Sequence, residues 1–128
     1  MDVRDAVEGD AEALAELADV PRDVVRDLIH DRTVRVATED GDAIAFLSFD
    51  ARPSTVYVTW IGGDPAACRR LLEEPIRFAT REGMGVELLL SDENDSIRDA
   101  VGDAGFEEAG AGPGFAGVPT VRYRYVGE

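Results

Sequence analysis

Apolar residues along this 128-residue chain recur with two periods, one near 3.6 and one of two, and the switches between them mark out helices and strands. Residues 1–7 read as a short strand. Gly9-Asp10 then lead into AEALAELA, where Leu14, Leu17 and Ala18 fall on one helical face and Asp10 stands where an N-cap is expected. Pro21 opens a second helix, with an apolar stripe of Val24, Val25, Leu28 and Ile29 that ends near His30. Residues 33–38 (TVRVAT) alternate as a strand. Glu39-Asp40-Gly41-Asp42 forms a hairpin turn, and residues 43–49 (AIAFLSF) return as a more buried strand. A second turn over residues 50–54, which include Pro53, passes the chain into the β-branched and aromatic run of residues 56–61, continuing an antiparallel meander.

After a turn at Gly62-Gly63, Leu71, Leu72, Ile76 and Ala79 share one face of a helix that reaches about Glu82 and stops at Gly83. Pro75 lies inside it, deletes a backbone donor and predicts a kink or break. Residues 85–90 (GVELLL) form a short buried strand, and the helical crossover makes it parallel to the strand at Val56. Residues 92–104 form a further helix with Ile97, Ala100, Val101 and Ala104 inward, closed by Gly105. A short strand at Phe106, a flexible loop over residues 109–117 and a last strand over residues 118–126 complete the chain. The expected class is a mixed α/β (α+β) fold in one domain spanning residues 1–128. Its sheet is mostly antiparallel with one parallel pair, and about four helices lie on the two faces.

Charge changes this picture in one respect. The formal net charge is -14, all 13 basic residues are Arg, and Asp and Glu are spread through every segment, as suits a halophilic protein kept soluble at high salt. A basic protein partner is the competing account of such acidity. No basic stripe exists to neutralise a phosphate backbone, so nucleic acid is not an expected partner. No apolar run approaches the length of a membrane span, and a membrane is not expected either. Cys68 is the only Cys and can form no internal disulfide. With no apolar leader segment visible, the expected location is the cytoplasm. His30, the only imidazole, has no companions with which to build a metal site, and a structural role is expected for it.

The candidate chemistry gathers at residues 56–72, VYVTWIGGDPAACRRLL. A strand meets a pair of glycines and a small-residue helix start, the layout of an anion-accepting βα turn. Arg69 and Arg70 in the first turns of the helix carry the guanidinium group suited to phosphate. Asp64 and Pro65 oppose this. The carboxylate at the N-cap can bond the free amides, and Pro supplies no amide at all.

The order of elements resembles the GNAT-type N-acetyltransferase family over nearly the whole chain. Asn94, Gly105 and Phe106 match a segment in which that family carries Asn at a helix start and Gly-Phe after its end. Leu71-Leu72 look like the Leu pair that follows the family's acetyl-CoA loop. That loop reads Gln or Arg, two residues, Gly, one residue, Gly or Ala, and Gly63, Ala66 and Cys68 stand at those positions here. The resemblance implies acetyl-CoA as cofactor, with Gly62, Gly63, Ala66, Ala67, Cys68, Arg69, Arg70 and Asn94 around its pyrophosphate. It implies backbone at Trp60 and Ile61 polarising the thioester carbonyl, and an amine of a small molecule or peptide as acceptor. Where the family often places a proton-donating Tyr, this chain has Val101, which completes an apolar helix face; the phenols present are Tyr57, Tyr123 and Tyr125. Asp50, Asp92 and Glu93 at strand ends are the carboxylates placed to act as a base through water. Two alternatives stand beside an acyltransferase. One is a noncatalytic GNAT-fold module for binding or dimerisation, in which a homodimer is expected. The other is an unrelated α/β domain with a pocket of Trp60, Phe115 and the last-strand tyrosines, which a sheet closed between the Val56 and Val86 strands would favour.

Overall fold

The structure, a computed structural model, describes residues 1–91, 95–115 and 118–126. Strand β1 (Asp2–Asp5) and a 3-10 turn (Glu8–Asp10) precede helices α1 (Ala11–Ala18) and α2 (Arg22–Asp31). The meander β2 (Thr33–Glu39), β3 (Asp42–Ala51) and β4 (Thr55–Gly63) follows. Next come α3 (Pro65–Leu71), α4 (Glu73–Glu82), β5 (Gly85–Ser91), α5 (Asp95–Asp103), β6 (Phe106–Phe115) and β7 (Val118–Tyr125). The seven strands form one sheet in the order β1-β2-β3-β4-β5-β7-β6. Only β4 and β5 pair in parallel, as the crossover length required.

Local chemistry explains most boundaries. Asp40 and Gly41 both have positive φ, 54° and 87°, the conformation a two-residue hairpin turn needs between twisted strands. The long helix expected after β4 breaks at Leu72, three residues before Pro75, so the missing proline amide falls in the first turn of α4. The sheet separates two apolar cores. Val34, Val36 and Phe46 meet Leu14 and Val25 beneath α1 and α2, while Leu47, Val56, Val58 and Leu88 meet Leu71, Leu72 and Val101 beneath α3, α4 and α5.

Several expectations need correction. Asp10 makes no side-chain cap on α1. Its carboxylate accepts the Val7 amide at 2.8 Å and two Arg4 N–H bonds at 2.8 and 2.9 Å, closing the 3-10 turn instead. These bonds hold the Asp10 carboxyl below the usual carboxylate range, the Arg4 hydrogen bonds first among the causes. Val24 is exposed and Val25 alone of that helix's stripe is fully buried, because α2 meets the sheet on a narrower face than the pattern implied. Residues 109–115 are strand rather than loop. β6 keeps pairing with β7 through bulges after Glu108 and after Gly112, since ladder bonds to a long partner outweigh the weak strand preference of Gly and Ala. Pro113 and both bulges lie on the outermost strand, where they discourage further pairing.

Candidate active site

β4 is the element on which the site is built. It pairs with β5 at Thr55–Gly85, Val56–Val86, Tyr57–Glu87 and Val58–Leu88, and the pairing ends there. Beyond that rung, among the described residues, Trp60 to Gly63 pair only with β3, while Leu89, Leu90 and Ser91 pair only with β7. Two parallel neighbours therefore separate in the middle of the sheet, and the reading that a closed sheet would favour loses that support. A bulge accompanies the opening. On β3, Ser48 faces Trp60 and the next residue, Phe49, faces Val58, so Thr59 is the extra residue. The Thr59 hydroxyl shares a 2.7 Å hydrogen bond with the buried Ser48 hydroxyl, which ties the bulge to β3. The sequence carries a trace of this: Val56 and Val58 keep the period of two, but the next residue on their face is Ile61, one position late.

The bulge sends the Trp60 ring to the α1–α2 side of the sheet, stacked on Phe46 at 4.0 Å and 10°. Ile61 enters the opposite core. The two glycines that follow are strand, not turn, and both have packing reasons. A Cβ on Gly62 would collide with the Trp60 ring. At Gly63, with φ 114°, a Cβ would stand 2.5 Å from both the Ala45 Cα and the Ile44 carbonyl oxygen. The Asp64 amide donates to that same Ile44 carbonyl at 2.9 Å. Strand thus passes to helix through the single residue Asp64, with no loop between.

At the start of α3 the helix's own residues take the amides. The Asp64 carboxylate accepts the Ala67 amide at 3.0 Å, the Asp64 carbonyl accepts the Cys68 amide at 2.9 Å, and Pro65 has none. Ala66 supplies the remaining amide of that turn. Ala67 and Cys68 are fully buried, and burial, with the Asp64 charge adding to it, pushes the Cys68 thiol up to about 12. This thiol is a small core residue, not a nucleophile. Arg69 and Arg70 face outward and pair along the α3–α4 surface, Arg69 with Glu73 at 3.5 Å and Arg70 with Glu74 at 3.1 Å. The residues expected to surround a pyrophosphate are therefore adjacent, but the Ala67 and Cys68 amides and both guanidinium groups are engaged within the chain, leaving the Ala66 amide. Asn94 lies outside the described residues, as do Asp92 and Glu93.

On the α1–α2 side an open groove of about 670 Å³ reaches the bulge. Arg32, Asp50, Arg52, Ser54, Tyr57 and Thr59 line it. Asp50 is held at 2.9 Å by both Arg32 and Arg52, which leaves the groove a net positive spot on an acidic protein. Asp50 and Tyr57 were candidates from the sequence but the arginines were not; Arg52 is two residues from Asp50 in the chain, and Arg32 is brought to it by the β2–β3 pairing. Tyr57 is 40% exposed, whereas Tyr123 is buried and Tyr125 packs on Phe106 at 5.5 Å. Val101 is fully buried, as its helical spacing predicted. His30 pairs with Glu8 at 3.3 Å on the surface. Among the described residues no group of His, Cys, Asp and Glu is arranged to hold a metal ion, and no helix is long and apolar enough to cross a membrane.

No protein-family model and no curated protein matches the sequence. Solved structures do match the fold over nearly the whole chain. An N-acetyltransferase from Staphylococcus aureus Mu50 superposes with a TM-score of 0.79 at 11% identity, covering 97% of this chain and 96% of that one. The ribosomal-protein-alanine N-acetyltransferase of Brucella melitensis gives 0.76 at 18% identity, covering 97% and 98%. The protein yncA of Salmonella typhimurium, solved with its cofactor acetyl-CoA, gives 0.75 at 20% identity, covering 97% and 91%. Likeness at such identities is likeness of fold, and the fold is that of the GNAT acetyltransferases.

Proposed function

From a chain with the GNAT fold, we propose an acyltransferase that takes an acyl-CoA-type thioester, acetyl-CoA first, into the opening between β4 and β5 and passes the acyl group to an amine. The observation that carries this reading is the end of β4–β5 pairing at Val58–Leu88, beside the Thr59 bulge. Two strand edges inside a sheet offer backbone amides and carbonyls to an extended, amide-bearing arm, the same bonding that adds a strand to a sheet edge. A thioester supplies an acyl carbon already activated toward an amine. The chain's part is to position it and to polarise its carbonyl, with the Trp60 and Ile61 backbone in that role.

Amine attack forms a C–N bond and breaks the C–S bond, so one proton must leave the amine and one must reach the sulfur. Val101 has none to give and is sealed in the core. Tyr57 is the phenol that opens on the groove at Thr59, and Asp50 lies beside it. That groove is the acceptor's approach in this reading, for a small-molecule or peptide amine.

The fit to the donor differs along its length. The opening suits the thioester arm. The α3 start, with the Ala67 amide taken by Asp64, does not fit a pyrophosphate. The same observation favours a second reading, a GNAT-fold module without catalysis that binds or dimerises. Thermal unfolding of the full chain in molar KCl, with and without millimolar acetyl-CoA, separates the two, because a ligand bound only to the folded state raises the midpoint. The acyltransferase reading expects a rise, and an unchanged midpoint in folded protein removes it.

A further inference from the structure

Resting on that reading, we infer that this chain holds its thioester donor by the pantetheine arm alone, and that the 3′-phospho-ADP end of CoA contributes nothing to binding. Four observations converge. Strand β4 passes to α3 through one residue, so no loop can wrap a diphosphate. Gly62 and Gly63, which could have let a phosphate approach the backbone, are covered by the Trp60 ring and by the β3 backbone. At the helix start the Asp64 carboxylate occupies an amide and places negative charge where an anion would have to sit. Arg69 and Arg70 are engaged by Glu73 and Glu74, and the chain as a whole carries a net charge of -14. A neutral arm avoids all of these costs. The donors that suit the site are acyl thioesters of pantetheine with no nucleotide diphosphate attached.

Calorimetric titration of the full chain in molar KCl, with S-acetyl-pantetheine and with acetyl-CoA as separate probes, tests this. The two dissociation constants are expected to agree within about fivefold. Acetyl-CoA binding tighter by more than that overturns the inference while leaving an acyl-thioester site intact. Binding of neither probe instead removes the acyltransferase reading on which the inference rests. Asp64→Gly keeps a tolerated N-cap residue while freeing the Ala67 amide and removing the charge. It is expected to strengthen acetyl-CoA by about fivefold and leave acetyl-pantetheine unmoved. Asp64→Asn, which keeps a capping oxygen, repeats the charge part of the test should the Gly variant unfold. A variant that moves both probes together, or neither, rules out Asp64 as the barrier.

Discussion

The two halves of β4 live in different surroundings. Residues 55–58 have a strand on either side, and residues 60–63 have one only toward β3. The first half is ordinary sheet interior, with Val56 and Val58 buried against the α3–α5 core. The second half, though equally central in the sheet, has an edge facing β5 that no strand among the described residues covers. One inserted residue, Thr59, marks the change. A bulge increases local twist and ends pairing, so a single residue can turn sheet interior into a binding edge. Chain beyond the edge then decides what can bind. Here it closes at once onto β3 through Gly63 and onto α3 through Asp64.

The largest expected effect comes from attacking the last paired rung. Leu88→Ala empties a fully packed position where β4 and β5 part, and should cost about 2–5 kcal/mol in denaturant unfolding. If the opening is instead held apart by the helices, fast amide exchange should stay confined to residues beyond Val58 in this variant; spread toward Val56 would tie it to the rung.

Next is the far end of the unpaired half. Gly63→Ala combines positive φ with contact on the β3 backbone and should cost about 2–4 kcal/mol. Gly85→Ala, at the other end of the pairing with open space around it, should stay within about 0.5 kcal/mol. Equal costs at the two glycines would erase the contrast between the halves.

The bulge itself is tested by Thr59→Val, which deprives the buried Ser48 hydroxyl of its partner. A loss of about 1–2 kcal/mol is expected. A smaller loss would show the bulge to be set by backbone alone.

The smallest effect concerns the helix start. The Cys68 thiol is pushed from its ordinary 9.0 up to about 12, so the folded chain keeps its proton while the unfolded chain loses it. Stability from this group is whole below pH 9.0 and declines as pH rises toward about 12. Cys68→Ala should flatten that alkaline decline. In the native protein the thiol should resist alkylation at neutral pH until the chain unfolds.

Much of the fold was legible because periodicity reports burial. Helices, the meander, the parallel pair and the break before Pro75 all follow from apolar spacing and Gly and Pro placement. β6 was not, since residues 109–114 are Ala, Gly and Pro, whose strand state depends on the partner β7. The site was half legible. Asp64-Pro65 announces its own cap, and the capped amide is where the sequence put it. Gly62-Gly63 misled, because glycines needed for close packing look the same in sequence as glycines needed for a turn. In the Arg32–Asp50–Arg52 groove, Arg52 is a near neighbour of Asp50 in the chain, but Arg32 reaches Asp50 only through the pairing of β2 with β3.

The central claim is that a thioester donor lies along the uncovered edge of β4. Backbone-amide NMR of the full chain in molar KCl, titrated with acetyl-CoA, tests it most directly. The account predicts the largest shift changes at Trp60 and Ile61 and, across the opening, at Leu89 and Leu90, with Val56 and the α3 start nearly unmoved. Shifts that gather at Ala66 and Ala67 while Trp60 and Ile61 stay still, or no shifts at millimolar ligand, would contradict it.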